Sequence, residues 1–555
     1  MGVKHFFIWL NNNFKNCIKE IPLKTPVLDV TINNLCIDLN GVFHPCAQQV
    51  YEYGDYKRKE RLLKVAKKRK FTLKHQILVF QKVCQRIDYY RKLTQPTKRI
   101  ILCIDGIAGS AKMSQQRQRR YKSAKERDFD FDPNCMTPGT LFMNYMSKYI
   151  DWYIRSMISY HPDWEHLEVV FSNEKVPGEG EHKIINYMRN HGIVNESFCI
   201  QGLDADLIML GLGVPINNVY ILRENYHKSK GFLLIDIAQF RQELFHYMKW
   251  QDEESKFFRK ENAINDFIFM CFLVGNDFLP TIPTLAILEG GIDVMLDVYK
   301  TLSKHLTSKK RNGTITLRIE NLQKFIGTLA QYEKGLIVEK ANKSGFFPDP
   351  IVKKHMIGMI DIDYEGYKKE YYAKKFGDVS IKEICHGYLY GMQWVINYYK
   401  HGIPDWTWQY MFNYGPFLDD LTREMKSYKF TNFEIHEPVT SFEQLLAVLP
   451  PKSKNLVPKI FWNLFENKEL YPDDFEVDLS GKRREWEGIV VLPKVDMKVI
   501  NEEYMRLKSK LDKRDNYRNI RNKSYRIVKQ HHSYLFRSFY GDILECQANS
   551  EIIEL

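Results

Sequence analysis

The strongest constraint in this sequence is where its short apolar runs stop. Asn34–Asp38 and Arg99–Asp105 run straight into an aspartate, Phe198–Gln201 reaches Asp204 a few residues on, and Leu167–Phe171 is a fourth run of the same kind. Runs this short and this rich in Ile, Val, Leu and Cys suit buried strands. Longer stretches of helical periodicity separate them. That alternation builds an α/β fold around a mostly parallel twisted sheet flanked by helices. In such sheets functional groups collect beyond the carboxyl ends of the strands. Several strands delivering carboxylates to one edge point to a site there.

The chain has 555 residues, 44% hydrophobic and 14% aromatic, more than one ordinary core requires. The strand-rich pattern fills residues 1–300, expected to form the α/β unit. Residues 301–555 turn richer in helix, Tyr and Trp, and with no Ser/Gly linker between them are expected to pack directly on the first part. A formal net charge of +13 favours a polyanionic partner such as nucleic acid or an anionic membrane. The ten cysteines form no C-x-x-C pair, which suits free thiols in a reducing compartment. No apolar stretch reaches the roughly 18 residues of a membrane span, and the opening MGVKHFFIWL lacks the apolar core of a signal peptide. The expectation is a soluble, intracellular chain with no membrane partner.

Seven acidic residues stand in tight, apolar or Gly-rich settings: Asp38, Asp105, Glu179, Glu181, Asp204, Asp206 and Asp277. Any one of them alone reads as a turn or helix cap. Together at one sheet edge they would repel unless cations neutralise them, and hard oxygen ligands select Mg²⁺ or Mn²⁺. Glu179/Glu181 and Asp204/Asp206 are spaced to share one side of an extended backbone; where a helix has begun, the second of each pair becomes a cap or an outer group. Two Mg²⁺ ions about 4 Å apart are the established device for in-line attack on a phosphodiester.

Directly after Asp105 comes Ala111–Arg120, AKMSQQRQRR. As a helix it brings Lys112, Gln116, Arg119 and Arg120 on or near one face, a donor set suited to a terminal phosphate. Two further basic runs, Tyr56–Lys74 and Arg506–Lys529, suit either a nucleic-acid backbone or solvent.

These segments, in this order, resemble the Xrn-type 5′→3′ exoribonucleases: MGVKHFFIWL, CIDLNGVFHPC, IDGIAGSAKMSQQRQRR, MTPGTLFM, VPGEGEHKI, GLDADLIMLGL and DFIFMCFLVGNDFLPTIP, then GMQWVINYYKHGIPDWTWQYMFNYGPF, LAVLPPKSKNLVP and YPDDFEVDLSGKRREWEG. The resemblance implies a catalytic core related to PIN and flap nucleases, enclosed by a second conserved region. It implies the seven carboxylates as catalytic residues binding two Mg²⁺ ions, with Mn²⁺ as a substitute. Lys112, Gln116, Arg119 and Arg120 match the family's 5′-phosphate pocket. His44 matches a base-stacking histidine, and the opposing ring comes from Trp406 or Trp408, between which the sequence does not choose.

The implied activity is stepwise hydrolysis of single-stranded, 5′-monophosphorylated RNA to mononucleotides in mRNA decay. The implied setting is cytoplasmic, by a monomeric chain with the decapping machinery as a candidate partner. Compact length and an Asn/Lys/Ile-rich composition suit a viral or minimal-eukaryote member. Lys4, Ile8 and Gly109 depart from the family pattern, the last replacing a proline common in that segment. A structure-specific DNA flap nuclease and a catalytically dead RNA-binding scaffold are the rival readings; the intact acidic set argues against the scaffold.

Overall fold

Strand register decides where the acidic residues end up. In a computed structural model that describes residues 5–23, 28–54, 71–127, 131–193, 195–225, 231–250, 253–285 and 290–555, the chain forms seven strands in its first half. They are β1 (Ile18–Ile21), β2 (Asn34–Asp38), β3 (Arg99–Cys103), β4 (Glu168–Ser172), β5 (Phe198–Gln201), β6 (Val219–Asn225) and β7 (Gly231–Asp236). Three small ribbons follow: β8–β9 (Thr307–Lys309, Ile315–Leu317), β10–β11 (Met356–Ile357, Asp361–Ile362) and β12–β13 (Glu476–Asp478, Ile489–Val491). A long hairpin, β14 (Ser524–Phe536) and β15 (Ile543–Ile553), ends the described chain.

Among the described residues one sheet has nine strands in the order β1-β7-β6-β5-β2-β3-β4-β14-β15. The expected parallel arrangement holds in the centre, where β6, β5, β2, β3 and β4 run the same way. Both flanks are antiparallel: β7 and β1 on one side, β14 and β15 on the other. Asp38 pairs with Cys103, Cys103 with Ser172, and Ile37 with Gln201. The strands therefore end level, and the residues just beyond them share one edge.

Alternation along β2 and β3 feeds two cores. Leu35, Ile37, Ile100 and Leu102 join one cluster, while Cys36, Ile101 and Cys103 join the other. The second cluster also takes Tyr388, Leu389, Met392, Trp394, Val395 and Ile396 from the helix Ile381–His401. Residues after 301 thus share a continuous core with the sheet. The helix Ser441–Val448, held by a Thr440/Glu443 capping box, closes a third core over Ala108 and Met113.

The basic run Tyr56–Lys74 lies largely outside the described residues. Arg506–Lys529 is not one helix: it spans the end of Met497–Leu507, the helix Lys513–Asn519 and the start of β14. Its Arg518 is buried and bonds Asp515 and the carbonyl of Gly139. All ten cysteines are buried and free. No helix among the described residues is long and apolar enough to cross a membrane.

Candidate active site

Two loops beyond β3 and β4 zip together to build the acidic edge. Gly106 N–H donates to Gly178 O at 2.8 Å, and Gly178 N–H donates to Ile107 O at 2.8 Å. Gly106 must be glycine, since a Cβ there would lie 1.7 Å from Val176 O. This pairing sets Asp105 beside the helix Gly180–His191, whose first N–H, from Gly180, donates to Asp105 Oδ1 at 2.7 Å. A Cβ on Gly180 would stand 2.5 Å from Asp38 Oδ1, so Asp38 presses on the same helix end. Asn40 ties the two aspartates: its N–H donates to Asp38 Oδ1 (3.1 Å), and its Oδ1 accepts from Asp105 N–H (2.9 Å).

Glu179 is extended, and the helix begins at Gly180, so Glu181 sits in the first turn. Asp206 likewise opens the helix Asp206–Gly213. The acidic pairs are therefore arranged around helix starts, where partial positive charge favours anions. Asp277 follows the helix Lys260–Leu273, in a turn fixed by Asn276 Oδ1, which accepts from Phe278 and Leu279 N–H at 2.8 and 2.9 Å. Lys112 then bridges distant parts of the chain, pairing with Asp277 at 2.8 Å and with Glu179.

Electrostatics show how closely the carboxylates face one another. Burial and then Asp105, with Asp204 and Glu179, raise Asp38 well above the usual carboxylate range. Burial and then Asp206 do the same to Glu181, against Lys112. Asp206 is pushed up to about 6 by burial and by Asp277. Burial also lifts Glu179 despite Lys112. Asp277 is the exception: burial works to raise it, but Lys112 prevails and holds it below the ordinary value. Lys112, and buried Lys183 near Asp38 and Asp105, supply less positive charge than these carboxylates carry. The donor set fits hard divalent cations, whose charge would offset the mutual repulsion. As the side chains stand, among the described residues, no three of them close tightly enough to hold an ion; Lys112 lies between Glu179 and Asp277.

Two tyrosines that no sequence motif marks complete the cluster. Tyr398 donates to Glu179, and Tyr399 hydrogen-bonds Asp206. His182 stacks on Tyr398 with ring centroids 3.8 Å apart. Both tyrosines sit near the end of the Ile381–His401 helix, so only tertiary structure brings them here.

The basic segment forms the helix Ser110–Glu126. Lys112 turns to the carboxylates, whereas Gln116 and Arg120 are buried with Gln116 Oε1 and Arg120 Nη1 lacking any hydrogen-bond partner. Burial and neighbouring Arg119 push Arg120 down to about 9, and Asp105 and Asp132 only partly oppose this. Arg119 is exposed. His44, an exposed residue of the helix Asn40–Tyr51, is near both guanidiniums; desolvation of the ring, then Arg119 and Arg120, push its imidazole down to about 4. A buried arginine without a carboxylate partner is a receptor for an anion.

The DWTW segment divides. Trp408 packs on Trp394 at 4.9 Å and on Tyr390, inside the aromatic core. Trp406 lies at the head of the basic helix, its carbonyl accepting from Ser110 N–H at 2.9 Å. Among the described residues no ring stacks on His44.

The sequence matches the family described as XRN 5'-3' exonuclease N-terminus over residues 1–130 and 126–225, and that described as Xrn1 helical domain over 257–357 and 353–555. It is similar to 5'-3' exoribonuclease 1 of Homo sapiens, with 27% identity over 94% of this chain and 35% of that protein. It is similar to 5'-3' exoribonuclease 2 of Arabidopsis thaliana, with 27% identity over 94% and 68%. For 5'-3' exoribonuclease 1 of Saccharomyces cerevisiae the figures are 26%, 94% and 44%. The chain thus spans between 35% and 68% of the length of these relatives. Among solved structures, the catalytic core of Rad2 in complex with DNA substrate aligns with a TM-score of 0.34 and 12% identity, over 80% of this chain and 99% of that one.

Proposed function

The chain belongs to the Xrn family of 5′–3′ exonucleases, and on that premise we propose that it hydrolyses single-stranded, 5′-monophosphorylated RNA stepwise to mononucleotides in cytoplasmic RNA decay. The observation that carries the reading is a juxtaposition. Buried carboxylates that raise one another's pKa lie against a helix whose Arg120 and Gln116 are buried with unmatched polar atoms.

Arg119 and Arg120 grip the terminal phosphate through planar N–H donors, and Gln116 orients it. The neutral His44 ring offers a flat face to the leading base, with Trp406 the better placed of the two tryptophans to oppose it. Stacking of this kind tolerates every base. Asp38, Asp105, Glu179, Glu181, Asp204, Asp206 and Asp277 are the groups that hold two Mg²⁺ or Mn²⁺ ions. Those ions, when bound, supply an activated water and stabilise the leaving oxygen. Tyr398 and Tyr399 fix Glu179 and Asp206 in place from the second region. Residues 1–300 serve as the nuclease unit and 301–555 as its brace.

The test is a time course on RNA bearing a 5′-phosphate, a 5′-hydroxyl or a cap, and on matching DNA, with and without EDTA. The expected result is mononucleotide release from the 5′-phosphorylated RNA alone, stopped by EDTA. Equal turnover of the hydroxyl form, or turnover in EDTA, would overturn the proposal.

A further inference from the structure

The Ser110–Glu126 helix has a second functional face. Lys112, Gln116 and Arg120 serve the site above, but Ser114, Gln115, Gln118 and Lys122 line an adjoining cavity of about 1000 Å³. Its far walls come from residues 336–358, 410–415 and 478–494. Arg119 and Asp277 line it as well, so it opens directly off the carboxylate edge.

Its chemistry is specific. Phe346, Phe412 and Trp486 supply aromatic surface. Lys375, also on the wall, is ion-paired with Asp478. Lys494 is not paired in this way: its ammonium donates to Ser114 Oγ at 3.4 Å and, among the described residues, meets no carboxylate. Desolvation pushes it down to about 8. Gln115 Oε1 is buried without a partner, and exposed Lys353 adds another cation with no ion pair among the described residues. Aromatic surface beside uncompensated ammonium groups is the recognition chemistry of a nucleotide: a base of any identity and one phosphate. Binding pockets for molecules of that size run to roughly 300–1,000 Å³.

We propose that this cavity is a site for nucleoside 5′-monophosphate, through which the product of each cleavage leaves. The inference rests on the exonuclease reading. A stepwise exonuclease keeps its entry path filled with the advancing RNA, so the released nucleotide needs another way out. A chamber sharing Arg119 and Asp277 with the site of cleavage provides it, and Lys494 takes the phosphate over from Arg119.

The test is equilibrium binding of AMP and UMP to the full chain in EDTA. It compares the wild type with Lys494→Gln and Lys353→Gln, alone and with the first pocket saturated by a 5′-phosphorylated RNA. Both nucleotides are expected to bind, and to stay bound with the RNA present. Lys494→Gln should weaken them roughly tenfold, the worth of one charge-assisted contact, and Lys353→Gln should weaken them less. The exposed Lys353 variant covers the case in which Lys494→Gln fails to fold. Absence of binding at millimolar nucleotide, or one-for-one displacement by the RNA with neither variant having an effect, would overturn the proposal. Failure of the exonuclease reading shows separately, as no mononucleotide released from 5′-phosphorylated RNA in Mg²⁺.

Discussion

Lys112 Nζ stands 2.8 Å from Asp277 Oδ2 and pairs with Glu179 as well, so a helix following β3 is pinned to a turn formed far along the chain. Lys112→Met leaves those two buried carboxylates without their cation. Removing one partner of a buried pair costs about 3–5 kcal/mol. The pH dependence has a definite sign. Asp277 titrates below its ordinary 3.8 in the folded protein, so its contribution is present above that pH and is lost as pH falls through the folded value. Thermal melts carried from pH 8 to well below pH 3.8 should therefore show the variant's deficit in full at neutral pH, shrinking only once the pH has fallen below 3.8.

Asp206 shows the opposite linkage. Its pKa rises from 3.8 to about 6 on folding, so its ionisation costs stability as pH climbs through that window and fully above it. Asp206→Asn should raise the melting temperature in EDTA at pH 7.5, by on the order of 2 kcal/mol of stability. It should leave the acid-side melt below pH 3.8 unchanged. Hydrolysis should fall by roughly a hundredfold or more while RNA binding persists. Undiminished turnover would remove Asp206 from the chemistry.

Arg119→Ala with Arg120→Ala should erase the preference for 5′-phosphate over 5′-hydroxyl. The loss should appear in kcat/KM for the phosphorylated substrate alone, roughly tenfold or more per guanidinium. Since Arg120 has no ion-pair partner among the described residues, the melting temperature should hold steady or rise. An unchanged phosphate preference would move the 5′-end pocket elsewhere.

Tyr398→Phe deletes one hydroxyl next to Glu179 and nothing else. The expected cost is about 1–2 kcal/mol of stability, with kcat reduced and KM for RNA little changed. A matching rise in KM would place Tyr398 on the substrate instead.

Gly109 adopts φ −68°, the angle a proline ring imposes, and its N–H makes no backbone bond among the described residues. A Cβ there would meet Ile403 at an ordinary 3.6 Å. Gly109→Pro should thus be accommodated and stabilise by about 0.4–1 kcal/mol, measurable by chemical denaturation. A destabilised variant would mean the preceding Ala108 cannot adopt the backbone that proline demands.

The central strands were legible because burial on both faces makes their sequences continuously apolar; β2 and β5 begin and end where the pattern places them. The acidic edge followed, since six of the seven acidic residues stand within three residues of a strand end or helix start in sequence; Asp277 does not, lying in a turn after the helix Lys260–Leu273. The flanking strand β6 has mixed burial and a blurred pattern, whereas β7 is apolar and buried at its four central positions. β14 carries a basic, largely exposed sequence that reads as a solvated surface. The roles of Tyr398 and Tyr399 were invisible for a different reason. A tyrosine near a helix end carries no local mark of the carboxylate it will meet across the fold. Lys112 shows the limit of periodicity: helical spacing grouped it with Gln116 and Arg120, but its long side chain swings to Asp277.

On the side away from β3, the neighbour of β4 is β14, and Tyr525 of the latter lies opposite Phe171 of the former. During synthesis the border of β4 stays uncovered until the ribosome has passed the entire helical region. Contacts this remote slow folding and leave an unpaired strand available to other chains. Assembly of the nine-stranded sheet is in this way coupled to completion of the segment after residue 301, and a ribosome stalled before residue 524 would hold a half-finished, aggregation-prone sheet.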